Sequence, residues 1–430
     1  MRLLAFSIHP IELMRSLNMA LDISVAGIFM HQCRTTLICN GIAEELDLKH
    51  GERERLLASA FMHDLGAASY AEERALLLNP DHEERLGKGI HQHAERGSAL
   101  LRDSGIFAPL ADIVHYHHDR WNGDNPSGLQ GDAIPLASRI IHLADRVDVV
   151  ARRDRPILSQ REDICRMIQE GSDRQFDPLV VEAFLRRSRL ESFWLDQSNA
   201  GYIPLFLSKM AVWGASNYTA EEVLRIAELY ATLIDRMSAF TATHSRSVSL
   251  VASLLAAEAG FCGTELTMMR IAGLLHDLGK LSVPNAILNK PGPLTQEETN
   301  IMRQHPYYTY RILEQMENFS SIAAWAALHH ETLDGQGYPF KIGGDDLPLG
   351  SRIMAVADIF VALAEDRPYR TRMPLGSIKR IMDNMAKARK IDGHCMEVLF
   401  NRCRDAESII REAPENGFPS SQRESLNKNE

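Results

Sequence analysis

Cysteine is scarce in this sequence. The 430 residues carry six, at Cys33, Cys39, Cys165, Cys262, Cys395 and Cys403, and no two stand in a Cys-x-x-Cys spacing. A chain of this length needs no disulfide framework, so reduced thiols in a cytoplasmic protein are expected. Long hydrophobic runs are also missing. The run nearest the start, Ile23 to Met30, is far shorter than the roughly 20 residues that cross a bilayer. Met1 to Ile11 shows no apolar stretch ending in a small-residue cleavage site. The expectation is a protein with no leader, no anchor and no membrane partner. Excess positive charge is absent too, with 47 Lys and Arg against 57 Asp and Glu, a net charge of −10. Nonspecific nucleic-acid binding runs on phosphate neutralisation by Lys and Arg, so no nucleic-acid partner is expected. A small anionic ligand in a local basic pocket remains compatible with that charge.

Alternating β-branched runs are few, and helical periodicity dominates. Glu52 to Met62, Ala111 to His118, Pro135 to Val150, Ala220 to Ala239, Ser245 to Ala259, Ile322 to His330 and Ser351 to Ala364 all repeat apolar residues every three or four positions. Thr219-Ala220-Glu221-Glu222 has the shape of a capping box that starts a helix. Turn chemistry gathers at Asn122 to Gly131 and at Asp334 to Gly350. The fold class is all-α. The hydrophobic content of 45% and charged content of 24% are those of an ordinary globular protein, and 430 residues exceed one typical core.

An internal repeat organises the chain. His31 to His63 and His244 to His276 both span 32 positions, and His93 to His117 and His305 to His329 both span 24. His63 to His93 is 30 against 29 for His276 to His305, and His118 to Asp145 is 27 against 28 for His330 to Asp358. The words around these residues agree. Phe61-Met62-His63-Asp64-Leu65-Gly66 echoes Leu274-Leu275-His276-Asp277-Leu278-Gly279, and Ile134-Pro135-Leu136-Ala137-Ser138-Arg139 echoes Leu347-Pro348-Leu349-Gly350-Ser351-Arg352. Two copies of one helical domain follow. We expect the first at 1–195, a packed connection at 196–218 that carries Tyr202, Phe206 and Trp213, the second at 219–412, and a flexible tail at 413–430.

Each copy holds five His and two Asp, more ligands than one metal needs. Imidazole and carboxylate suit borderline first-row metals, and Asp277 beside His276 is the natural bridge between two ions. Such a pair activates water and clamps both oxygens of an in-line phosphoryl displacement. Adjacent His329 and His330 diverge by about 100° on a helix, so both can ligate only near a helix end. Lys280 follows Asp277 by three positions and faces the same side, where it can stabilise charge on phosphate oxygens or a leaving group. Arg367 and Arg370, in Arg367-Pro368-Tyr369-Arg370, can supply phosphate or guanine-edge contacts.

The second copy resembles the HD-GYP family. The likeness is carried by His276-Asp277-Leu278-Gly279-Lys280, His305-Pro306, His329-His330-Glu331 with Asp334-Gly335-Gln336-Gly337-Tyr338-Pro339, then Ala357-Asp358 and Arg367-Pro368-Tyr369-Arg370. The resemblance implies a bacterial phosphodiesterase that opens cyclic dinucleotides, chiefly cyclic di-GMP, on a centre of iron or manganese. It implies His244, His276, Asp277 and Asp358 around one metal and His305, His329, His330 and the bridging Asp277 around the other. Gly337-Tyr338-Pro339 would lie in a loop for substrate approach and contacts with signalling partners. Two positions depart from the pattern. Trinuclear members carry a Glu four residues before the first His, where this chain has Phe240, so two metals are expected. Many members carry an Asp three residues after the last ligand Asp, where this chain has Val361. Members with an extra HD domain ahead of the catalytic one include enzymes for 3′,3′-cyclic GMP-AMP.

The first copy keeps His31, His63, Asp64, His93, His117, His118 and Asp145, but has Ala67 in place of the Lys and Asp124-Asn125-Pro126 in place of Gly-Tyr-Pro. It resembles the wider HD superfamily of metal-dependent phosphohydrolases. Two roles stay open: a second phosphohydrolase acting on the linear product, or a structural metal site that supports a homodimer or regulates its neighbour. For the whole chain the alternatives to a cyclic dinucleotide phosphodiesterase are a nonhydrolytic dinucleotide receptor and a general nucleotide phosphohydrolase.

Overall fold

The computed structural model describes residue 15 and residues 28–67, 90–199, 201–213, 218–237, 243–365 and 372–412. Among them every regular element is a helix. They fall into two compact units, one ending at Trp213 and one starting at Tyr218. The expected tail lies outside the described residues.

The first unit is built around α1 (Ile28–Glu45). Its residues His31, Cys33, Leu37, Ile38 and Ile42 are buried, and it packs against α2 (His50–Met62), α5 (Leu136–Val150), α7 (Pro178–Arg187), α8 (Glu191–Ser198) and α9 (Tyr202–Trp213). Between them come α3 (Ile90–Asp103) and α4 (Ala111–His115), and α6 (Arg161–Glu170) lies against α5. Apolar residues on several faces of α1 and α5 leave neither with a fully polar side, which suits helices covered all round. The segment expected as a packed connection holds α9, whose Ile203, Phe206 and Leu207 are buried in this unit.

The second unit opens with α10 (Ala220–Met237), started by the Thr219 capping box: the Thr219 N–H donates to Glu222 at 2.7 Å and the Glu222 N–H to Thr219 Oγ1 at 3.3 Å. Its central layer is α11 (His244–Glu258), packed on α12 (Thr264–Leu275) and α17 (Leu349–Ala364). Short helices α13 (Asn285–Leu288) and α14 (Gln296–Met302) lead to α15 (His305–Leu313) and α16 (Ser320–Ala327). Three amphipathic helices, α18 (Leu375–Lys387), α19 (Gly393–Asn401) and α20 (Cys403–Glu412), close the unit. The order α1, α2, α3, α4, α5 of the first unit recurs as α11, α12, α15, α16, α17 of the second, in the register of the sequence repeat.

Two helices stop earlier than periodicity predicts. α4 ends at His115 and α16 at Ala327, leaving both His-His pairs in the turns that follow. The reason is local competition for carbonyls. The Nδ1–H of His117 donates to Val114 O at 2.6 Å, and that of His329 to Ala326 O at 2.6 Å. Each imidazole takes an acceptor that the next helical N–H would have used.

Candidate metal centres

The placement of the site begins with Gly66 and Gly279, each two residues after a His-Asp pair. A Cβ on Gly279 would stand 2.0 Å from the carbonyl oxygen of His305, and one on Gly66 would stand 1.9 Å from that of His93. Only glycine lets the turn approach the start of the facing helix so closely. The contact is then fixed by Thr309, whose Oγ1 accepts from the Gly279 N–H at 2.9 Å and donates to His276 O at 3.1 Å.

Three imidazoles of the second unit are aimed in the same way. His276, His305 and His329 each donate Nδ1–H to the carbonyl three residues earlier, Gly273, Met302 and Ala326, at 2.8, 2.8 and 2.6 Å. A carbonyl only accepts, so the proton sits on Nδ1 and, in the neutral ring, Nε2 keeps its lone pair. The Nε2 atoms of all three are buried with no hydrogen-bond partner. Orphaned buried acceptors of this kind ask for a ligand. His63 in the first unit repeats the device, bonded to Ala60 O at 2.7 Å with an orphaned Nε2.

The seven metal-type residues of each copy come together. In the second unit they form two sets of convergent donors, His244 with His276 and Asp277, and His305 with His329 and His330. Asp277 lies between the sets: Oδ2 is 3.2 Å from His276 Nε2 while Oδ1 is 3.4 Å from His305 Nε2. Asp358, set in the apolar α17, places Oδ1 3.2 Å from His244 Nε2 and 3.9 Å from His276 Nε2. The first unit is nearly superimposable in its distances. Asp64 Oδ2 is 3.2 Å from His63, Asp64 Oδ1 is 3.4 Å from His93, and Asp145 Oδ1 is 3.2 Å from His31 and 3.9 Å from His63. Its two sets are His31 with His63 and Asp64, and His93 with His117 and His118. This donor chemistry, all imidazole nitrogen and carboxylate oxygen, fits borderline divalent ions.

The electrostatics separate the two sets. Burial pushes His305 down to about 3 and His329 down to about 4, and neighbouring cations add to it. Burial likewise takes His93 down to about 4. These rings are neutral near pH 7 and ready to donate a lone pair. Burial also works against the cation of His244, but hydrogen bonds to Asp358 and Glu365 outweigh it and hold the ring up at about 10. Asp277 is pulled well below the usual carboxylate range, because His276 and Lys280 more than offset its burial.

Lys280 Nζ stands 2.5 Å from Asp277 Oδ2, a quarter exposed. In the first unit Ala67 is fully buried, yet a cation arrives from another element: Arg96 on α3 donates from Nε to Gly66 O at 3.1 Å. Of Gly337, Tyr338 and Pro339, the Tyr338 side chain touches the donor sets. The Tyr338 ring stacks on His330 with centroids 4.9 Å apart, and the Arg303 guanidinium lies 4.4 Å from the centroid of the Tyr338 ring. The Tyr338–Pro339 peptide is cis. Buried Glu331 ties the loop down by accepting from the N–H groups of Phe340, Lys341 and Ile342 at 2.6, 3.0 and 3.1 Å. Arg367, Arg370 and Phe240 lie outside the described residues.

Several of these residues escape a sequence reading. Arg303, Arg96, Asp148 and Glu365 hold no place in the repeat of metal-type residues. Asp148 backs His31, with Oδ2 2.8 Å from His31 Nδ1, and Glu365 backs His244, with Oε2 3.0 Å from His244 Nδ1. A signal existed for Asp148, three positions after Asp145 on one helix face; Glu365, one residue past the end of α17, carried none.

Comparison with known proteins agrees with this geometry. An HD domain is matched at residues 28–150 and again at 228–395. The 3′3′-cGAMP-specific phosphodiesterase 1 of Vibrio cholerae is 30% identical over 402 residues, which are 89% of this chain and 90% of that protein. The 3′3′-cGAMP-specific phosphodiesterase 3 of the same organism is 34% identical over 313 residues, 72% of this chain and 66% of that protein. A crystal structure of the V. cholerae cyclic GMP-AMP specific phosphodiesterase V-cGAP3 is similar with a TM-score of 0.64 and 28% identity, over 93% of this chain and 98% of that one. The four donor sets, the repeat that places them and a likeness running nearly end to end lead to one assignment: this chain belongs to the HD-GYP family, with a second HD domain ahead of the one that carries Gly337-Tyr338-Pro339.

Proposed function

We propose that the second domain is a metal-dependent phosphodiesterase that opens 3′,3′-cyclic GMP-AMP to a linear 5′-phosphorylated dinucleotide. The carrying observation is Asp277, which turns one carboxylate oxygen to each set of imidazoles. The relatives that align along most of the chain bear that substrate in their names; cyclic di-GMP, the chief substrate of the wider family, is the second candidate. We assign His244, His276, Asp277 and Asp358 to one ion and His305, His329, His330 and Asp277 to the other, with iron or manganese as the metals. Bound there, the two ions would supply an activated water and neutralise charge on the phosphate. The chain does the rest. Asp277 and the Nδ1-tethered imidazoles hold their donor atoms fixed, so no reorganisation is needed as the phosphorus is attacked. Lys280, held on Asp277, is placed to stabilise charge that develops on a phosphate oxygen. Arg367 and Arg370 are assigned to substrate phosphates or guanine edges, and Tyr338 to the wall that steadies His330. We take the domains to be 1–195 and 219–412, with the end of α8 and α9 packed on the first as its connection.

A second reading concerns the first domain. Its donor distances match those of the second, and Arg96 brings a cation beside the turn where Lys280 has no counterpart. That favours a phosphohydrolase acting on the linear product over a purely structural or dimer-supporting metal site.

Product analysis with cyclic GMP-AMP, cyclic di-GMP and 5′-nucleotides tests both readings, with iron or manganese supplied under reducing conditions. Asp277→Ala is expected to abolish ring opening, and Asp64→Ala to leave ring opening intact while linear product accumulates. Ring opening that survives Asp277→Ala would sink the first reading. Binding without turnover would make the chain a receptor, and faster turnover of 5′-nucleotides would make it a general phosphohydrolase.

A further inference from the structure

The two copies solve one structural problem with different residues. A metal-binding imidazole needs its far nitrogen anchored, and a carboxylate there fixes both the tautomer and the ring plane. In the first unit that carboxylate is Asp148 on α5, 2.8 Å from His31 Nδ1. It is clamped in turn by Arg34, whose Nε and Nη2 donate to it at 2.6 and 3.1 Å, and by Arg153 at 2.5 Å. In the register of the repeat, Asp148 corresponds to Val361 and Arg34 to Ser247. Both members of the pair are gone from the second unit. Val361 is fully buried and Ser247 Oγ is buried with no hydrogen-bond partner. A bare Nδ1 on His244 would be the expected consequence.

It is not bare. Glu365, one residue past the end of α17, reaches back so that Oε2 lies 3.0 Å from His244 Nδ1 while His244 Nε2 faces Asp358 Oδ1 at 3.2 Å. The Glu365 side chain is only 12% exposed, so the carboxylate is committed to this contact and not to solvent. The longer side chain and the four-residue displacement together deliver a carboxylate to the same ring nitrogen that Asp148 serves in the other copy.

We propose that Glu365 is the positioning residue of the second metal centre, a replacement for the carboxylate lost at Val361, and that it sets metal affinity by holding His244. The proposal rests on the assignment of His244 to a metal, but its measurement is metal binding, so a failure to hydrolyse any cyclic dinucleotide would leave it standing.

The test compares Mn²⁺ affinity, by competition with a chelator, in the full-length chain carrying Asp64→Ala to silence the first centre. Glu365→Ala should weaken binding about 10- to 100-fold, the usual cost of removing such a partner. Glu365→Gln keeps an acceptor without charge and should fall between. Val361→Asp combined with Glu365→Ala should restore affinity to within about threefold, because it returns a carboxylate to the position of Asp148, with the Ser247 hydroxyl in place of Arg34 as its donor. Saturating Mn²⁺ should recover most of the kcat that Glu365→Ala loses. Unchanged affinity in Glu365→Ala overturns the proposal, as does a double variant that melts like its parent yet stays weak. If the double variant melts lower, the single variants decide: equal affinity in Glu365→Gln and Glu365→Ala, both at the parental value, overturns it.

Discussion

The phenol ring of Tyr338 lies almost flat on the imidazole of His330, with centroids 4.9 Å apart and 20° between the planes. The Gly-Tyr-Pro loop is thereby part of the wall of the second centre. Aromatic pairs of this kind contribute about 0.5–1.5 kcal/mol beyond area burial, a factor of roughly 2 to 12 in an equilibrium constant. Tyr338→Ala should lower metal affinity at the second centre by that factor, and Tyr338→Phe should leave it near the parental value. The measurement is again chelator competition. If Phe falls as far as Ala, the hydroxyl and not the ring is what matters.

The close approach at Gly279 gives a second prediction. A Cβ there meets His305 O at 2.0 Å and Thr309 N at 2.9 Å, so the α15 backbone must shift and carry His305 with it. Gly279→Ala should destabilise the chain by about 1–3 kcal/mol or more, as overpacking does, and strip metal from the second centre. Gly376→Ala is the control, since nothing lies within 4 Å of a Cβ at that helical position; it should be neutral or stabilising by up to about 1 kcal/mol. Denaturant midpoints for the two variants decide the matter, and equal midpoints would contradict the packing argument.

How far the sequence could be read follows from what each residue has to do. Metal-type residues must be polar at buried positions, and their spacing drifts by no more than one position between the copies. The repeat therefore exposed all fourteen of them at matching places. The helices α1, α3 and α15 were harder to see. α1 is covered on several sides and α15 is short, so neither shows one clean apolar stripe, and the polar His93 and His305 interrupt α3 and α15 on the faces that point inward. Supporting residues were hardest of all. Glu365 backs its imidazole from a position other than that of Asp148, and Arg96 reaches the Gly66 turn from another helix; a repeat in register detects only substitutions that stay in place.

Arg34 supplies a third prediction. It makes a two-pronged contact with Asp148, which is almost wholly buried and also holds His31. Breaking a buried pair from one side costs about 3–5 kcal/mol, and Arg153 remains to offset part of it. Arg34→Met should lower the stability of the first unit by about 2–3 kcal/mol and weaken metal binding at its centre. Calorimetry of the full chain with Asp277→Ala in the background reads both. No change in either quantity would show that Arg153 alone suffices.

Asp235 on α10 gives a pH dependence whose sign can be worked out. Burial pushes its carboxyl up to about 7, against the pull of His244 and a hydrogen bond from Ser245 Oγ at 2.8 Å. The folded metal-free chain therefore binds this proton more tightly than the unfolded chain, where the pKa is about 3.9. The stabilisation is complete below about pH 4 and is lost as pH rises through about 7. Asn at this position keeps an acceptor for Ser245 and does not titrate. Between pH 5 and pH 8 the advantage of Asp235→Asn over the parent should grow by about 2–3 kcal/mol in urea unfolding of metal-stripped protein, at 1.36 kcal/mol per pKa unit. Metal loading places positive charge near His244 and His276, favours the carboxylate and should shrink that growth. A stability difference independent of pH, or one that narrows as pH rises, would show that Asp235 is already ionised in the folded metal-free chain.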